Sequence, residues 1–220
     1  MNIRLTFALA VSFILTPTLT ALLPIEPPQV SALVLLLLSE ILIGVFMGMI
    51  PRVFMGALQT AGTILSMVAS MANMFIQDPI AEQQSSVLST YLSMMALTIV
   101  FVTDTHHLML MALVDSYSIF TPVGGPMVAD MSDFLAHKVS DSFAMGLQLS
   151  APLIVSGLAY YLGLGILGRL MPQLPVFFFG MPIQIALQIY LIMVTTTAMM
   201  MVFMTYFQTG LFSLTTSFGG

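Results

Sequence analysis

The stretch "SALVLLLLSEILIGVFMGMI" (residues 31–50) decides the fold of this chain. It is apolar except at its middle, and at roughly 20 residues it could cross a bilayer as a helix. An ionised Glu40 in lipid would cost at least ~2.5 kcal/mol. Gly44 and Gly48 are four residues apart, an interval that lets a second helix backbone approach, although chance spacing remains an alternative. The stretch predicts a helix that packs against protein as well as lipid.

The composition supports this interpretation. Of 220 residues, 59% are hydrophobic and 6% are charged. A soluble domain carries roughly a quarter charged residues, so this chain must lie in lipid or among equally apolar partners. Its net charge of -5, with four basic residues, argues against nucleic-acid binding, which needs a basic footprint. The absence of cysteine excludes thiolate sites and disulfides.

Six apolar arms are predicted to be helical, because lone strands cannot satisfy their backbone in lipid. Proline and arginine at positions 51 and 52 predict a kink or an end after the second arm. The sequence therefore predicts an all-α, membrane-associated chain of kinked helices. We interpret the first arm as a retained segment rather than a cleaved signal peptide. The arms are Ile3–Leu23, Val30–Ile50, Val53–Phe75, Val87–Val102 with its continuation Leu108–Phe120, Ala144–Leu170 and Val176–Phe207.

The segment "TDTHHLML" (residues 103–110) contains the only adjacent histidines. On a regular helix His106 and His107 point about 100° apart, which is poorly suited to binding one ion. Zinc sites on helices favour histidines at i and i+4. We therefore predict no metal site, with Asp104 capping the following helix and the histidines acting as polar contacts between arms.

Intramembrane acids leave one alternative function open. Glu40, Asp104 and Asp115 could form a proton relay, because acids inside membranes often mark ion pathways. The alternative is therefore a small proton-coupled carrier. No catalytic triad or phosphate-binding motif is present in the sequence, so we predict no enzyme activity and no cofactor.

The most unusual local sequence is "GRLMPQLPVFFFGMP" (residues 168–182). Pro172 and Pro175 predict the end of one helix and a tight antiparallel turn into the next. Arg169 either caps the outgoing carbonyls of the first helix or, with Pro172 and Gln173, contacts a partner.

Five motifs occur in an order that resembles the FliR family, the R subunit of the flagellar type III export gate, called the T component in virulence systems. They cover nearly the whole chain: "SEILIGVFMG", "FIQDP", "TDTHHLMLMALVDSY", "TPVGG" and "RLMPQLPVFFFGMP". The chain departs from the family at Pro175, where a small polar residue is usual. Relative to the family, we also expect that a first apolar arm before Ile3 is missing.

The resemblance implies a single domain over residues 1–220. A P-like portion (about 1–140) is joined to a Q-like portion (about 141–220), and the chain closes a helical ring of P and Q subunits. Implied partners also include a B-type switch subunit, an A-type gate subunit, exported unfolded polypeptides and membrane lipid. The implied location is the bacterial inner membrane, within the flagellar basal body. Predicted subunit-packing residues are Glu40, Gly44, Gly48, Asp104, His106, His107, Arg169, Pro172 and Gln173.

The polar loop "MANMFIQDPIAEQQSS" (residues 71–86) matches the family's pore plug. The methionines at the start of the loop lie at helical spacing and could form one compliant stripe. An Asp-Pro pair favours a turn. An exposed connecting turn is the alternative to a plug. The predicted plug residues are Met67, Met71, Met74, Phe75, Gln77, Asp78, Pro79 and Glu82.

Overall fold

A computed structural model describes residues 2–19, 30–70, 75–77, 84–120, 128–173 and 176–218. This part of the chain forms six helices and one two-stranded antiparallel hairpin. The helices confirm the predicted all-α class. They are α1 (Asn2–Leu19), α2 (Val30–Val68), α3 (Val87–Val102), α4 (Thr105–Ile119), α5 (Val128–Leu170) and α6 (Val176–Phe218), and the strands are β1 (Phe75–Gln77) and β2 (Gln84–Ser86).

Three helices are longer than the sequence predicted: α2, α5 and α6, the last of which ends at Phe218 rather than at Phe207. The second and third arms form one helix, α2, which continues through Pro51. The predicted end at this proline is therefore wrong, because a proline within an apolar helix is tolerated where neighbouring groups satisfy the freed backbone. Helix α5 begins at Val128 rather than at Ala144. It includes the mixed-charge segment, where Lys138 and Asp141 pair at 3.8 Å, one turn apart.

Within the described residues, three helical segments are long and apolar enough to cross a membrane: Leu33–Val68, Val128–Leu170 and Phe178–Leu214. The number rises to four if α3 and α4, which are separated by a break at Thr103–Asp104, form one broken span. Much of this surface is exposed, including Leu37, Ile41 and Met193. Large apolar side chains exposed on these helices require a covering of lipid or partner protein.

The chain divides into two compact units. The first unit comprises Met1–Ile50, Asp104–Leu135 and Gln208–Gly220. In its core, the ring of Phe46 meets the rings of Phe120 and Phe134 edge-on, both at 6.0 Å. The division into P-like and Q-like portions near residue 140 is a statement about family resemblance and stays a prediction.

The second unit comprises Pro51–Thr103 and Ala136–Phe207. Its core is centred on Phe54, which is fully buried and contacts Phe207 edge-on at 5.7 Å. Small residues bring the helices of this unit together. A Cβ on Gly146 would lie 2.8 Å from the carbonyl oxygen of Ala57, and one on Gly62 would lie 2.2 Å from Ser89 Cα. Helix α2 therefore packs backbone to backbone against α3 and α5.

Candidate functional site

The polar loop leaves α2 and returns to α3 through the β1–β2 hairpin. Phe75 pairs with Ser86 and Gln77 with Gln84. Since α2 ends at Val68, the predicted continuation of a helical arm to Phe75 is wrong. The predicted plug residues Met71, Met74, Asp78, Pro79 and Glu82 lie outside the described residues.

The end of α2 is shaped by a left-handed residue. Ser70 has a φ of 58°, and its amide donates to the carbonyl oxygen of Met67 at 3.2 Å. A left-handed residue directly after a helix is a common helix terminator, because it turns the chain away from the helix axis. Met67, the first predicted plug residue, lies in the last turn of α2 and is 58% exposed.

Side chains from α5 and α6 hold this helix end. Gln184 Nε2 donates to the carbonyl oxygen of Val68 at 2.8 Å, and the hydroxyls of Ser70 and Tyr161 lie 3.0 Å apart. The last carbonyls of a helix have no intrahelical donor, so an amide from a neighbouring helix satisfies one of them. The base of the loop, defined as residues 68–70, is therefore hydrogen-bonded to two other helices.

A second buried glutamine lies one turn further along α6. Gln188 is fully buried, and its Nε2 donates to Ser156 Oγ at 3.4 Å. Nearby, Gly157 of α5 allows close packing on the end of α2, because a Cβ at Gly157 would lie 2.3 Å from Val68 Cγ1. Sequence reasoning missed these glutamines. The available signal was "IQIALQIY" (residues 183–190), where two amides four residues apart share one face of an otherwise apolar helix.

The loop exit is anchored on α2 as well. Ser86 is the N-cap of α3 and accepts a hydrogen bond from the amide of Ser89 at 3.1 Å. Its hydroxyl also donates to the carbonyl oxygen of Gly62 at 3.1 Å. Serine at an N-cap satisfies an otherwise unpaired helix amide, and here it also ties α3 to α2.

In the first unit, Asp104 precedes α4 in a left-handed conformation, with a φ of 55°. It occupies the predicted N-cap position, but within the described part of the chain its carboxylate makes no capping hydrogen bond. That part of the prediction is wrong. The left-handed backbone instead presents the carbonyl oxygen of Asp104 to the amide of His107, at 3.0 Å. The carboxylate lies 3.7 Å from His107 Nδ1.

The side chains of the two adjacent histidines of α4 lie close together. The rings of His106 and His107 lie 4.1 Å apart with an interplanar angle of 36°. One ligand atom from each histidine and one from Asp104 lie within 4.8 Å of one another. The expectation that the histidines point too far apart is therefore wrong. Among the described residues this group offers three donors, one fewer than structural zinc sites use, and we assign no metal to it.

Glu40 receives a hydrogen bond from a neighbouring helix in the first unit. Tyr117 Oη donates to Glu40 Oε2 at 3.1 Å. Both residues line a cavity of about 50 Å³, together with Gly44, Ser116 and Phe120. The hydrogen bond partly compensates the cost of placing a carboxylate in an apolar helix. Asp115 is exposed.

The remaining predicted packing residues lie on open surfaces. Among the described residues, nothing lies within 4 Å of a Cβ built on Gly44 or Gly48. Arg169, Pro172 and Gln173 are exposed where α5 ends. Arg169 lies in the last turn of α5, where a cation is favoured by the helix dipole. Their contact with other subunits stays a prediction.

Comparison with known proteins decides the family. The sequence profile described as "Bacterial export proteins, family 1" matches residues 1–210. The chain belongs to this family. Its members here include the Flagellar biosynthetic protein FliR of Caulobacter vibrioides, which is 36% identical over 201 residues, or 91% of this chain and 80% of that protein.

Relatives of lower identity include both a flagellar protein and a translocation protein. The Flagellar biosynthetic protein FliR of Escherichia coli is 32% identical over 194 residues, covering 86% of this chain and 72% of that protein. The Yop proteins translocation protein T of Yersinia pestis is 29% identical over 177 residues, covering 78% of this chain and 67% of that protein. The predicted resemblance to the FliR family is confirmed.

Proposed function

We propose that this bacterial export protein is a structural subunit of the type III protein-export gate of the flagellum, without catalytic activity of its own. It lies in the bacterial inner membrane, within the flagellar basal body. The observation that carries this proposal is the family match over residues 1–210, together with the similarity to FliR over 91% of the chain.

The proposed partners are P-type and Q-type gate subunits, with which the chain closes a helical ring. The B-type switch subunit and the A-type gate subunit lie against this ring, and unfolded polypeptides pass through it. The exposed apolar residues of α2, including Ile41, Val45 and Met49, support such an assembly. The open glycine face at Gly44 and Gly48 is suited to a neighbouring helix backbone.

Within the gate, the polar loop acts as the plug of the resting pore. A closed gate must stop ions, whereas an open gate must admit an unfolded chain. A loop whose base is bonded to α5 and α6 and whose exit is bonded to α2 can remain attached to the wall while its tip moves. Methionines at its start suit a contact that must seal and release.

Co-purification tests the assembly. When the tagged chain is extracted in mild detergent, we expect the P-type and Q-type subunits to elute with it in a fixed ratio. Deleting its gene should abolish secretion of flagellar proteins, and the cloned chain should restore it.

A Gly44→Leu substitution should weaken co-purification, because it fills the open glycine face, whereas Gly44→Ala should leave it largely intact. A chain that elutes alone as a stable monomer would contradict the proposal.

Replacing Glu40 separates a gate subunit from the alternative carrier. Glu40→Gln keeps an acceptor for Tyr117, so we expect export to fall no further than it does in Tyr117→Phe. Tyr117→Phe loses this hydrogen bond, about 0.5–1.5 kcal/mol, whereas Glu40→Gln replaces a charged acceptor with a neutral one. A proton carrier would instead lose transport in Glu40→Gln and retain it in Tyr117→Phe. The measurement is secretion of a flagellar reporter protein, normalised to the amount of assembled gate.

A further inference from the structure

Helix α2 changes the chemistry of its exposed face after Pro51. Before the proline, the exposed residues are mostly large and apolar. After it, the exposed residues of α2 are Arg52, Gln59 and Met67, and Thr63 is partly buried between them. At 100° per residue these four positions lie within about 80° of one another, along about 22 Å of the helix axis. We call Arg52, Gln59 and Thr63 the polar stripe of α2.

The core of the second unit lies on the other side of this helical segment. Phe54, Leu58 and Leu65 are buried there. The Thr63 hydroxyl donates to the carbonyl oxygen of Gln59, one turn earlier, at 2.8 Å. This bond lies within α2 and involves no neighbouring helix. The polar stripe is therefore directed away from the core, toward the surroundings of the unit.

Helix α3, in the same unit, exposes a different kind of surface. Its large exposed side chains include Met94, Leu97 and Phe101, which suit lipid or the apolar face of another subunit. The polar stripe belongs to a segment, Leu33–Val68, that is apolar enough to cross a membrane. Charged and polar residues in such segments are unfavourable against lipid and usually face a bundle interior or a water-filled cavity. The two helices therefore face different surroundings, an apolar one at α3 and an aqueous one at the stripe.

We propose that the polar stripe lines the aqueous passage of the gate and contacts the unfolded polypeptide in transit. An unfolded chain of any sequence presents backbone N–H and C=O groups. Gln59 supplies an uncharged donor and acceptor, and Thr63 supplies an acceptor, so both can bond to these groups without selecting a sequence. The stripe also runs toward the loop base at residues 68–70, where α2 leads into the polar loop. This inference rests on the proposed gate function, and it identifies the surface of this chain along which the exported polypeptide moves.

The absence of cysteine in this chain allows the contact to be tested by disulfide formation. Thr63→Cys introduces one thiol within the polar stripe. Thr98→Cys on α3 is the matched control, because Thr98 is exposed and its hydroxyl likewise donates to a carbonyl oxygen one turn earlier, that of Met94, at 2.9 Å.

The probe is a flagellar reporter protein that carries a single cysteine in its unfolded segment and a fused folded domain that arrests its export. Membranes containing the assembled gate and the arrested reporter are oxidised, and the disulfide-linked product is identified by mass spectrometry. Thr63→Cys should give at least roughly tenfold more product than Thr98→Cys, because cysteines whose Cα atoms lie more than about 7 Å apart are not bridged. Moving the cysteine along the unfolded segment of the reporter should preserve the product, because the contact does not depend on sequence.

A yield at position 63 no higher than at position 98, in a complex that holds the P and Q subunits and the arrested reporter, would overturn the inference. It would show that another subunit or lipid covers the stripe, and the gate function would stand. If the Thr63→Cys chain does not assemble, Gln59→Cys decides by the same comparison, because Gln59 is exposed. Failure of the wild-type chain to co-purify with P and Q subunits would instead contradict the gate function itself.

Discussion

Replacing Gly62 with alanine should destabilise this chain far more than the same change at a glycine in an open position. A Cβ at this site would lie 2.2 Å from Ser89 Cα and 2.5 Å from the Ser89 amide nitrogen. These are backbone atoms of α3, so relief requires the two helices to separate rather than a side chain to rotate. Separation also lengthens the hydrogen bond from Ser86 to the Gly62 carbonyl.

The expected loss of stability is large for the addition of a single methyl group. Overpacking a well-packed core costs typically about 1–3 kcal/mol and occasionally more. Because an entire helix must move here, we expect a loss of about 3 kcal/mol or more in the free energy of unfolding. That corresponds to roughly a hundredfold change in the ratio of folded to unfolded chain. Thermal unfolding of the purified gate complex, and the amount of chain recovered from membranes, measure it.

Gly165→Ala is the matched control. It lies within α5, and among the described residues nothing lies within 4 Å of its Cβ position. Alanine is favoured over glycine inside a helix by about 1 kcal/mol, so this variant should be at least as stable as the wild type. Equal stability of the Gly62 and Gly165 variants would contradict the close packing of α2 on α3.

Comparison of these glycines shows what the sequence can predict. Hydropathy and length predict helices, because backbone groups in lipid must be satisfied within each segment. The same small-residue spacing occurs at Gly44 and Gly48 and at Ala57 and Ala61. Ala57 and Ala61 are fully buried in the second unit, whereas Gly44 and Gly48 face outward. Spacing predicts close approach of helices but does not identify the partner.

Two predictions from local sequence signals, at Pro51 and Asp104, differ in part from the structure. Pro51 predicted a kink or a helix end, and α2 does not end there. Asp104 predicted a side-chain cap, yet among the described residues its carboxylate makes no capping hydrogen bond, and its carbonyl oxygen accepts from the amide of His107. A positive φ at a non-glycine residue carries no dependable sequence signature, although aspartate tolerates it better than most.

The contact of Gln184 could not be predicted from the sequence for a different reason. Gln184 binds a carbonyl oxygen 116 positions earlier in the chain. Its partner is a backbone atom, which carries no residue identity that a pattern could reveal. The sequence could indicate that two amides on an apolar face need partners, but only the packing of α6 beside the end of α2 identifies the loop base as the partner of Gln184.

Shortening the polar loop should open the resting pore. The hairpin register ends with Gln77 opposite Gln84. An Asn-Gly pair in place of residues 78–83 would therefore close the two strands with a two-residue turn. This change removes the loop tip, including Asp78, Pro79 and Glu82, and keeps the anchors at Ser70 and Ser86. Assembly should be unaffected, because the contacts with α2, α5 and α6 remain.

The leak should have a defined size limit. An unfolded chain with its side chains has a thickness of about 10 Å, the spacing between packed sheets. A gate that admits such a chain, once unplugged, should pass ions and solutes up to about that diameter. Influx of impermeant dyes of graded size into cells, with the gate quantified by co-purification, measures the limit. Secretion of a flagellar reporter should continue.

An equal-length control distinguishes a plug that acts by filling space from a plug that depends on particular side chains. In this control, six alternating glycines and serines replace residues 78–83. The replacement keeps the length of the loop but removes its specific side chains. A tight pore in this control, beside a leaking short loop, would show that the plug acts by filling space. Leakage in both would show that the tip's own side chains make the seal. If the shortened loop leaves permeability unchanged in an intact complex, the loop is only a connection between α2 and α3, and the resting pore is closed by other residues.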